Sequence, residues 1–230
     1  MRKIGLIGGM SFEGSSVYYR QINEKVRDRL GGLHSAELLL HSVDFQDIVD
    51  MQKSDRWDDA GRHLAETGRA LERAGADCVL ICAVTMHLVA DTVESAITVP
   101  LIHIIDETAK RLKAAGCKRP LLIATRYSME NGFYQKRMKR HDIDVVIPDA
   151  DSRTKVHNII FDELCAGKVL DRSRDVLLSL IGQAKAEGAD AVIFGCTEIC
   201  LILDSDKLPL PGFDSTAIHG EAAVEFALRK

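Results

Sequence analysis

Two stretches of this 230-residue chain have the same form. DCVLICAVTMHLV runs from Asp77 to Val89, and DAVIFGCTEICLI runs from Asp190 to Ile202. Each follows a Gly-Ala pair and begins with a short run of apolar residues, which is typical of a buried strand in a parallel sheet. Eight residues after that glycine stand Ala83 in the first stretch and Cys196 in the second. The pair predicts a duplicated fold in which only one half carries a thiol at the end of its strand.

The composition is typical of an ordinary globular protein. Hydrophobic residues make up 46% and charged residues 28% of the chain, and the formal net charge is −4. This balance argues against nucleic acid or an anionic membrane surface as the main partner. No secretory signal opens the sequence, and no apolar run reaches the length of a membrane-spanning helix. Six cysteines in such a chain indicate reduced thiols, so we expect a cytoplasmic protein.

Short β-rich runs alternate with longer helical patterns. Because such alternation produces βαβ units, it predicts an α/β fold with mainly parallel sheets flanked by helices. We expect strands at residues 3–8, 37–42, 78–82, 101–105, 121–124, 145–148 and 191–195, and helices at 15–30, 57–74, 106–115, 130–139, 155–166, 172–187 and 215–228.

A second pair of segments extends the duplication. LIGGMSFE after the first strand matches LIATRYSME after the fifth, so that Ser11 corresponds to Ser128. We therefore expect two pseudo-symmetric domains, with residues 1–105 plus 214–230 in the first α/β half and 106–213 in the second. Ligands of parallel α/β sheets bind beyond the carboxyl ends of the strands. The predicted site lies there, in the cleft between the two domains.

Cys196 is the candidate functional thiol. It stands where a strand passes into an expected helix start, and backbone amides there would lower the pKa of the thiol and favour thiolate. The alternative is a buried structural cysteine. Cys78 and Cys82 share one face of their strand and are interpreted as core residues. A zinc site that combines them with Cys196 and Cys200 is disfavoured because the two pairs lie in separate halves, so we expect no metal.

The whole chain resembles the aspartate/glutamate racemase superfamily. The resemblance is carried by IGLIGGMSFE, HSVDF, TMH, ATRYSM, IIFDEL and FGCTE. It implies a cofactor-independent amino-acid racemase that does not use pyridoxal phosphate, acts on a small amino acid or dicarboxylate, and forms a homodimer. In such racemases one cysteine from each domain faces the substrate, and one removes the α-proton while the other returns a proton to the opposite face. Inversion needs this acid and base on two sides of one carbon.

The resemblance transfers only one of the two catalytic cysteines to this chain. Cys196 matches the second position, but the family pattern Cys-Asn-Thr-x-His at the first position reads AVTMH here, so that Ala83 replaces the cysteine and Val84 the asparagine. For Gln52 and Lys168 a solvated surface position is the alternative to ligand binding. The expected substrate-binding residues are Met10, Ser11, Gln52, Val84, Thr85, Thr125, Tyr127, Ser128, Lys168 and Thr197.

Three functions are consistent with this asymmetry. The first is an aspartate/glutamate-type racemase family member whose racemisation is weak, one-sided or lost. The second is a single-cysteine decarboxylase or isomerase of a small carboxylic acid, and the third is a non-catalytic dicarboxylate-binding protein. Val84 favours the last two because it removes a polar contact to an amino group. The intact Gly-Cys-Thr-Glu at 195–198 favours an enzyme.

Overall fold

A computed structural model describes residues 1–229. The chain divides into two compact units, the first formed by Met1–Ile104 with the segment from His219 onward, the second by Ile105–Ile218. The predicted division places residues 105 and 214–218 in the first half instead. The second unit reaches this segment because its strand pairing joins Phe194 to Asp214.

The first unit is built on a three-stranded parallel sheet in the order β2-β1-β3. Its register pairs Leu6 of the central strand with Leu40 and Leu80. The elements in chain order are β1 (Ile4–Gly8), α1 (Phe12–Leu30), β2 (Leu38–Ser42), α2 (Phe45–Lys53), α3 (Trp57–Arg73), β3 (Cys78–Ile81), a 3₁₀ helix at Thr85–Val89 and α4 (Ala90–Glu94).

The strands β1 and β3 are buried on both faces, whereas the edge strand β2 is half-buried to exposed. On one face Ile4, Leu6 and Leu80 pack in a cluster that contains Tyr18 of α1 and Val224 near the end of the chain. On the other face a second cluster contains residues of β1, β3, α3 and α4, with the neighbouring loops. Parallel strands covered on both sides read as continuous apolar runs, which is why β1 and β3 are recognisable in the sequence.

The second unit repeats the plan with the strand order β4-β5-β6, again parallel. Leu122 of β4 pairs with Ile193 of β5, and all five residues of each strand are buried. The elements from residue 104 onward are α5 (Ile104–Ala114), β4 (Pro120–Ala124), α6 (Arg126–Glu130), α7 (Phe133–Lys139), α8 (Ala150–Asn158), a π-helical turn at Ile159–Glu163, a 3₁₀ turn at Leu164–Ala166, α9 (Asp171–Ala186), β5 (Ala191–Gly195), 3₁₀ turns at Ile199–Leu201 and Ser205–Lys207, β6 (Gly212–Asp214) and α10 (Ser215–Leu228). Helix α10 crosses the division, and its residues from His219 onward belong to the first unit.

The predicted α/β class with parallel sheets is confirmed, but several elements differ. The segments 101–105 and 145–148 each contribute one isolated bridge, at Leu101 and Val146, rather than a strand. Helix α5 already begins at Ile104, so the chain leaves the sheet after a single bridge. The sequence did not predict α2, α4, α6 or β6, which are nine, five, five and three residues long. Elements of three to five residues are too short to show a periodic pattern.

Gly195, the last residue of β5, allows the close approach of β4. A Cβ atom at this position would lie 2.5 Å from Leu122 Cδ1 and 2.9 Å from Ala124 Cβ. Gly182 in α9 is the opposite case, since a Cβ there would have no neighbour within 4 Å. Two glycines of one unit therefore have opposite requirements for space.

We expect Gly195→Ala to destabilise the protein by about 1–3 kcal/mol through overpacking. Gly182→Ala should instead stabilise it by roughly 0.5–1 kcal/mol, because alanine in a helix costs less conformational entropy than glycine. Urea unfolding at equilibrium measures both changes. Equal effects of the two substitutions would contradict the packing derived for Gly195.

Candidate active site

In each unit, loops at the carboxyl ends of the parallel strands carry most of the predicted site residues. In the first unit these are the turn after β1, with Met10 and Ser11, and the turn after β3, with Ala83, Val84 and Thr85. In the second unit they are the turn after β4, from Thr125 to Ser128, and the turn after β5, with Cys196 and Thr197. Gln52 lies on α2, and Lys168 lies beyond the 3₁₀ turn that precedes α9.

The turn after β1 requires glycine at position 9. Gly9 has φ of +92°, and a Cβ atom on it would overlap the backbone of Val43. The Gly9 amide donates to Ser15 Oγ at 2.8 Å, and the Gly14 amide donates to Ser11 Oγ at 3.3 Å. Ser11 thereby forms the N-cap of α1. Met10 and Ser11 are both buried, which leaves the loop backbone as the part of this turn best suited to a ligand.

Ala83 and its neighbour Cys82 point to opposite sides of β3. Ala83 belongs to the core cluster that includes Ile7 and Met10, whereas Cys82 belongs to the cluster on the other face with Leu6. Burial raises the pKa of Cys82 well above its usual range. Cys82 therefore does not replace the thiol that Ala83 lacks, in agreement with the alternation of side chains along a strand.

The ring of His87 stabilises the loop that follows Ala83 through hydrogen bonds. Its Nδ1 lies 3.0 Å from the Ala83 carbonyl oxygen, and the Ile104 amide lies 3.4 Å from its Nε2. A carbonyl can only accept, so Nδ1 carries the proton and Nε2 is the acceptor. The His87 ring also packs edge-on against His103, with 4.6 Å between the ring centroids. These contacts indicate that His87 packs and orients the loop.

Gln52 presents an unsatisfied acceptor in the first unit. The side chain is buried, and its amide nitrogen donates to the sulfur of Met86 at 3.2 Å. Its Oε1 has no hydrogen-bond partner among the described residues. A buried acceptor without a donor costs about 1–3 kcal/mol, so the position favours a donor supplied by a ligand.

The turn after β4 is held by its own hydroxyl groups. Thr125 Oγ1 accepts from the Ser128 amide at 3.3 Å and caps α6, and Ser128 is fully buried. The half-buried Tyr127 packs edge-on against His157, with 5.9 Å between the centroids. Burial, together with the charge of Arg126, lowers the pKa of His157 below its usual value.

The turn after β5 holds a compact polar group. Cys196 Sγ donates to Glu198 Oε2 at 2.9 Å, and Thr197 Oγ1 donates to the same oxygen at 2.6 Å. The exposed fractions of Cys196, Thr197 and Glu198 are only 8%, 3% and 2%. The three side chains form the Cys-Thr-Glu cluster, in which one carboxylate oxygen accepts hydrogen bonds from both the thiol and the hydroxyl.

The predicted lowering of the Cys196 pKa is wrong. Burial, followed by the charge of Glu198, raises the pKa of this thiol well above its usual value, and Cys165 acts in the same direction. The turn after Thr197 is a 3₁₀ helix of only three residues, Ile199–Leu201. Such a short turn supplies too small a dipole to outweigh desolvation and a neighbouring carboxylate.

The sequence did not predict a role for two residues of this region, Glu198 and Cys165. It did predict that Lys168 binds a ligand, but this residue lies at an exposed position. Glu198 appears in Gly-Cys-Thr-Glu, but its type alone does not indicate that it contacts the thiol. Cys165, from the short turn Leu164–Ala166, is close enough to act on Cys196, although the sequence provides no catalytic context for it. Lys168 is exposed, and its backbone amide donates to the Glu163 carbonyl at 2.8 Å.

Metal ligands and membrane spans were also sought among the described residues. Residues 1–229 contain no group of three or more His, Cys, Asp or Glu side chains placed to hold a metal ion. None of the helices in this part of the chain is long and apolar enough to cross a bilayer.

The fold and these strand-end loops define a class of two-unit α/β proteins with a thiol at the end of a central strand, and comparison with known proteins identifies the family. Residues 7–223 match the Asp/Glu/Hydantoin racemase family, and the chain belongs to it. A solved Yersinia pestis structure assigned to the Asp/Glu racemases is 44% identical over the full length of both chains, with a TM-score of 0.92. PH1733 from Pyrococcus horikoshii OT3, an aspartate racemase homologue, is 31% identical over both full chains, with a TM-score of 0.87. The broad specificity amino-acid racemase RacX of Bacillus subtilis (strain 168) is 20% identical over 96% of each chain.

His219 of α10 gives the first unit a testable pH dependence. Its Nε2 donates to the Ile102 carbonyl and its Nδ1 accepts from the Tyr18 hydroxyl, each at 2.7 Å. Burial, with His87 nearby, lowers the pKa of His219 to about 3. The folded protein therefore keeps this ring neutral at pH values where an unfolded histidine, with a pKa of about 6.5, already binds a proton.

We expect the free energy of unfolding to decrease as the pH falls from about 6.5 toward 3, with His219 contributing up to about 1.4 kcal/mol per pH unit. His219→Gln keeps a donor and an acceptor at this position but does not titrate, so it should remove that part of the slope. The exposed His34→Gln is the matched control and should retain the full slope. Urea unfolding between about pH 5 and 7 measures the change in the free energy of unfolding per pH unit for each protein. Identical slopes for all three proteins would contradict the neutral state of His219.

Proposed function

We propose that this protein is a cofactor-independent enzyme of the racemase family that acts on a small acidic amino acid with a single thiol, Cys196. The observation that carries the proposal is the asymmetry of the two strand ends. Cys196 is held by the Cys-Thr-Glu cluster after β5, whereas the methyl group of Ala83 stands at the corresponding end of β3. A methyl group neither accepts nor donates a proton.

Substrate binding is assigned to polar groups at the carboxyl ends of the strands. Backbone amides near Met10, Ser11 and Thr197 suit the carboxylates of a dicarboxylic amino acid. Gln52 Oε1 suits the α-ammonium group because it is a buried acceptor without a donor. In this role Gln52 would compensate for the amide lost at Val84. The remaining proposed contacts come from Thr85, Thr125, Tyr127, Ser128 and Lys168.

The proposed chemistry is removal and return of the α-proton on one face. The thiolate of Cys196 takes the proton, and donors around the substrate carboxylate stabilise the carbanion. The same thiol then returns a proton to the face from which it was taken. This cycle exchanges the α-hydrogen with solvent but retains the configuration. Inversion needs a donor on the opposite face, and losing a positioned general acid costs roughly 10²–10⁴ in rate.

We therefore expect α-hydrogen exchange of one enantiomer of aspartate or glutamate in deuterated water to be faster than its racemisation. Cys196→Ala should abolish both reactions, and Ala83→Cys should raise racemisation selectively, because it supplies a thiol at the second position. Proton NMR of the α-position and chiral chromatography of the same samples measure the two rates.

The exchange experiment separates the proposed enzyme from a binding protein. Exchange that persists in Cys196→Ala would exclude the proposed mechanism. Absence of exchange with every small acidic amino acid, combined with saturable binding of a dicarboxylate, would favour a binding protein.

The role proposed for Gln52 gives opposite effects on stability and binding. Gln52→Met has a similar volume and removes the unsatisfied oxygen, so it should stabilise the ligand-free protein by about 1 kcal/mol. The same change should weaken substrate binding, because the α-ammonium group loses its acceptor. Thermal unfolding and calorimetric titration with aspartate check the two effects. A variant that is more stable and binds aspartate as tightly as the unaltered protein would show that Gln52 does not contact the substrate.

A lyase is the second candidate function, and the raised pKa of Cys196 favours it. A thiol that keeps its proton is suited to protonating the carbanion left when carbon dioxide departs from a substituted malonate. Release of carbon dioxide from such a malonate, lost in Cys196→Ala, would support this function over α-proton exchange.

We also propose a cytoplasmic homodimer, following the family resemblance. All six cysteines are free, which fits a reducing compartment. Light scattering of the purified protein measures its mass in solution directly.

A further inference from the structure

The proposed chemistry requires Cys196 to lose its proton, and its surroundings oppose this. The thiol is buried, and the two titratable groups that act on it most are Glu198 beside it in the chain and Cys165 from the turn Leu164–Ala166. Burial and a neighbouring carboxylate both disfavour a negative charge on sulfur. A base that forms here needs a nearby group to accept its proton.

Glu198 is in the position to accept that proton. Its Oε2 lies 2.9 Å from Cys196 Sγ, and the Thr197 hydroxyl donates to the same oxygen at 2.6 Å. The Thr197 contact orients the carboxyl toward the thiol. Because Glu198 is 98% buried, bulk water has little access to the oxygen that faces the sulfur.

We propose that Glu198 is the positioning residue that takes the thiol proton of Cys196, so that the two side chains share one proton and one negative charge. The catalytic part of this inference rests on the proposed function. In the resting pair the proton is on sulfur and the charge is on the carboxylate. To form the base, the S–H bond breaks, an O–H bond forms on Oε2, and the electron pair stays on sulfur.

The rest of the cycle conserves charge. The thiolate takes the α-proton, which re-forms the S–H bond and leaves the negative charge on the substrate carbanion, while the Glu198 carboxyl stays protonated. Return of the proton to the carbanion regenerates the thiolate, and the carboxyl then returns its proton to sulfur. The site therefore carries a single negative charge at every step. A second buried negative charge would be costly in a dry environment.

A purely structural Glu198 would behave differently. If it only held the turn at Ile199–Leu201, the thiol would ionise by itself, and the reactive thiolate would increase about tenfold per pH unit below its pKa. In a proton-sharing pair the proton count stays constant over a range of pH, and the internal transfer alone sets the thiolate fraction. The pH dependence of thiol reactivity therefore distinguishes the two roles.

The experiment measures the alkylation rate of Cys196 by iodoacetamide in the full-length protein between about pH 6 and 9. Tandem mass spectrometry separates modification at Cys196 from that at Cys200, and Cys196→Ala identifies the background. For the unaltered protein we expect a rate that is nearly constant with pH across the neutral range. For Glu198→Gln we expect a rise of about tenfold per pH unit, because the amide cannot take the proton.

Glu187→Gln is the matched control, since it makes the same change at an exposed position of the same unit. Its profile should be as flat as that of the unaltered protein. A tenfold rise per pH unit in the unaltered protein would overturn the proposal, and so would a flat profile that persists in Glu198→Gln. If Glu198→Gln does not fold, the profile of the unaltered protein still decides between the two roles.

This test does not depend on the substrate. A flat profile in a protein that exchanges no amino-acid α-hydrogen would leave the Cys196–Glu198 pair in place and exclude the proposed function. If the protein exchanges the α-hydrogen but the alkylation rate of Cys196 rises tenfold per pH unit, the proposed function stands and proton sharing with Glu198 is excluded. Where exchange occurs, Glu198→Gln should lower its maximal rate at pH 7 more than it raises the substrate concentration needed for half that rate.

Discussion

Side chains alternate between the two faces of a strand, and this constraint decides which residues of the central strands are core and which are available for chemistry. At the end of β3 it places Cys82 in one cluster and Ala83 in the other. A one-residue shift in the pairing with β1 would exchange them and place a thiol where the methyl group now lies. The pairing of Ile7 with Ile81 fixes the register at this end of the strand. The asymmetry of the proposed site therefore depends on the packing of the sheet as much as on the substitution at position 83.

Much of the fold is predictable from the sequence because it follows from buried periodic segments. The apolar runs of β1, β3 and β5 are short and bounded by turn residues, which indicates strands, and the long amphipathic pattern of α3 indicates a helix. The elements that were wrong or missed are those whose conformation depends on a neighbour. Leu101 forms one bridge to Val79 before the chain turns into α5, and β6 exists because three half-buried residues pair with the edge of β5.

The site was predictable to a smaller extent. The positions of Cys196 and Ala83 follow from the repeat, since matching strands end at matching places. The electrostatics of the thiol did not follow, because they depend on how deeply the turn is buried and on the rotamer that brings Glu198 to the sulfur. A residue two positions along the chain can point toward or away from its neighbour, and the sequence contains no pattern that distinguishes these cases. The unsatisfied oxygen of Gln52 is likewise a property of packing that no spacing rule reveals.

The buried carboxylate beside Cys196 also has a consequence for inhibitor chemistry. Most reagents that label cysteine are selected for reactivity, but here the local charge would select among them. In a proton-sharing pair the sulfur becomes nucleophilic only while the Glu198 carboxyl is protonated, so alkylation leaves a neutral thioether beside a neutral carboxyl. A neutral electrophile therefore adds no charge to this dry environment, whereas an anionic one needs donors of its own. Covalent inhibitors of this protein should therefore be neutral, or should place their carboxylate where the proposed substrate carboxylate binds.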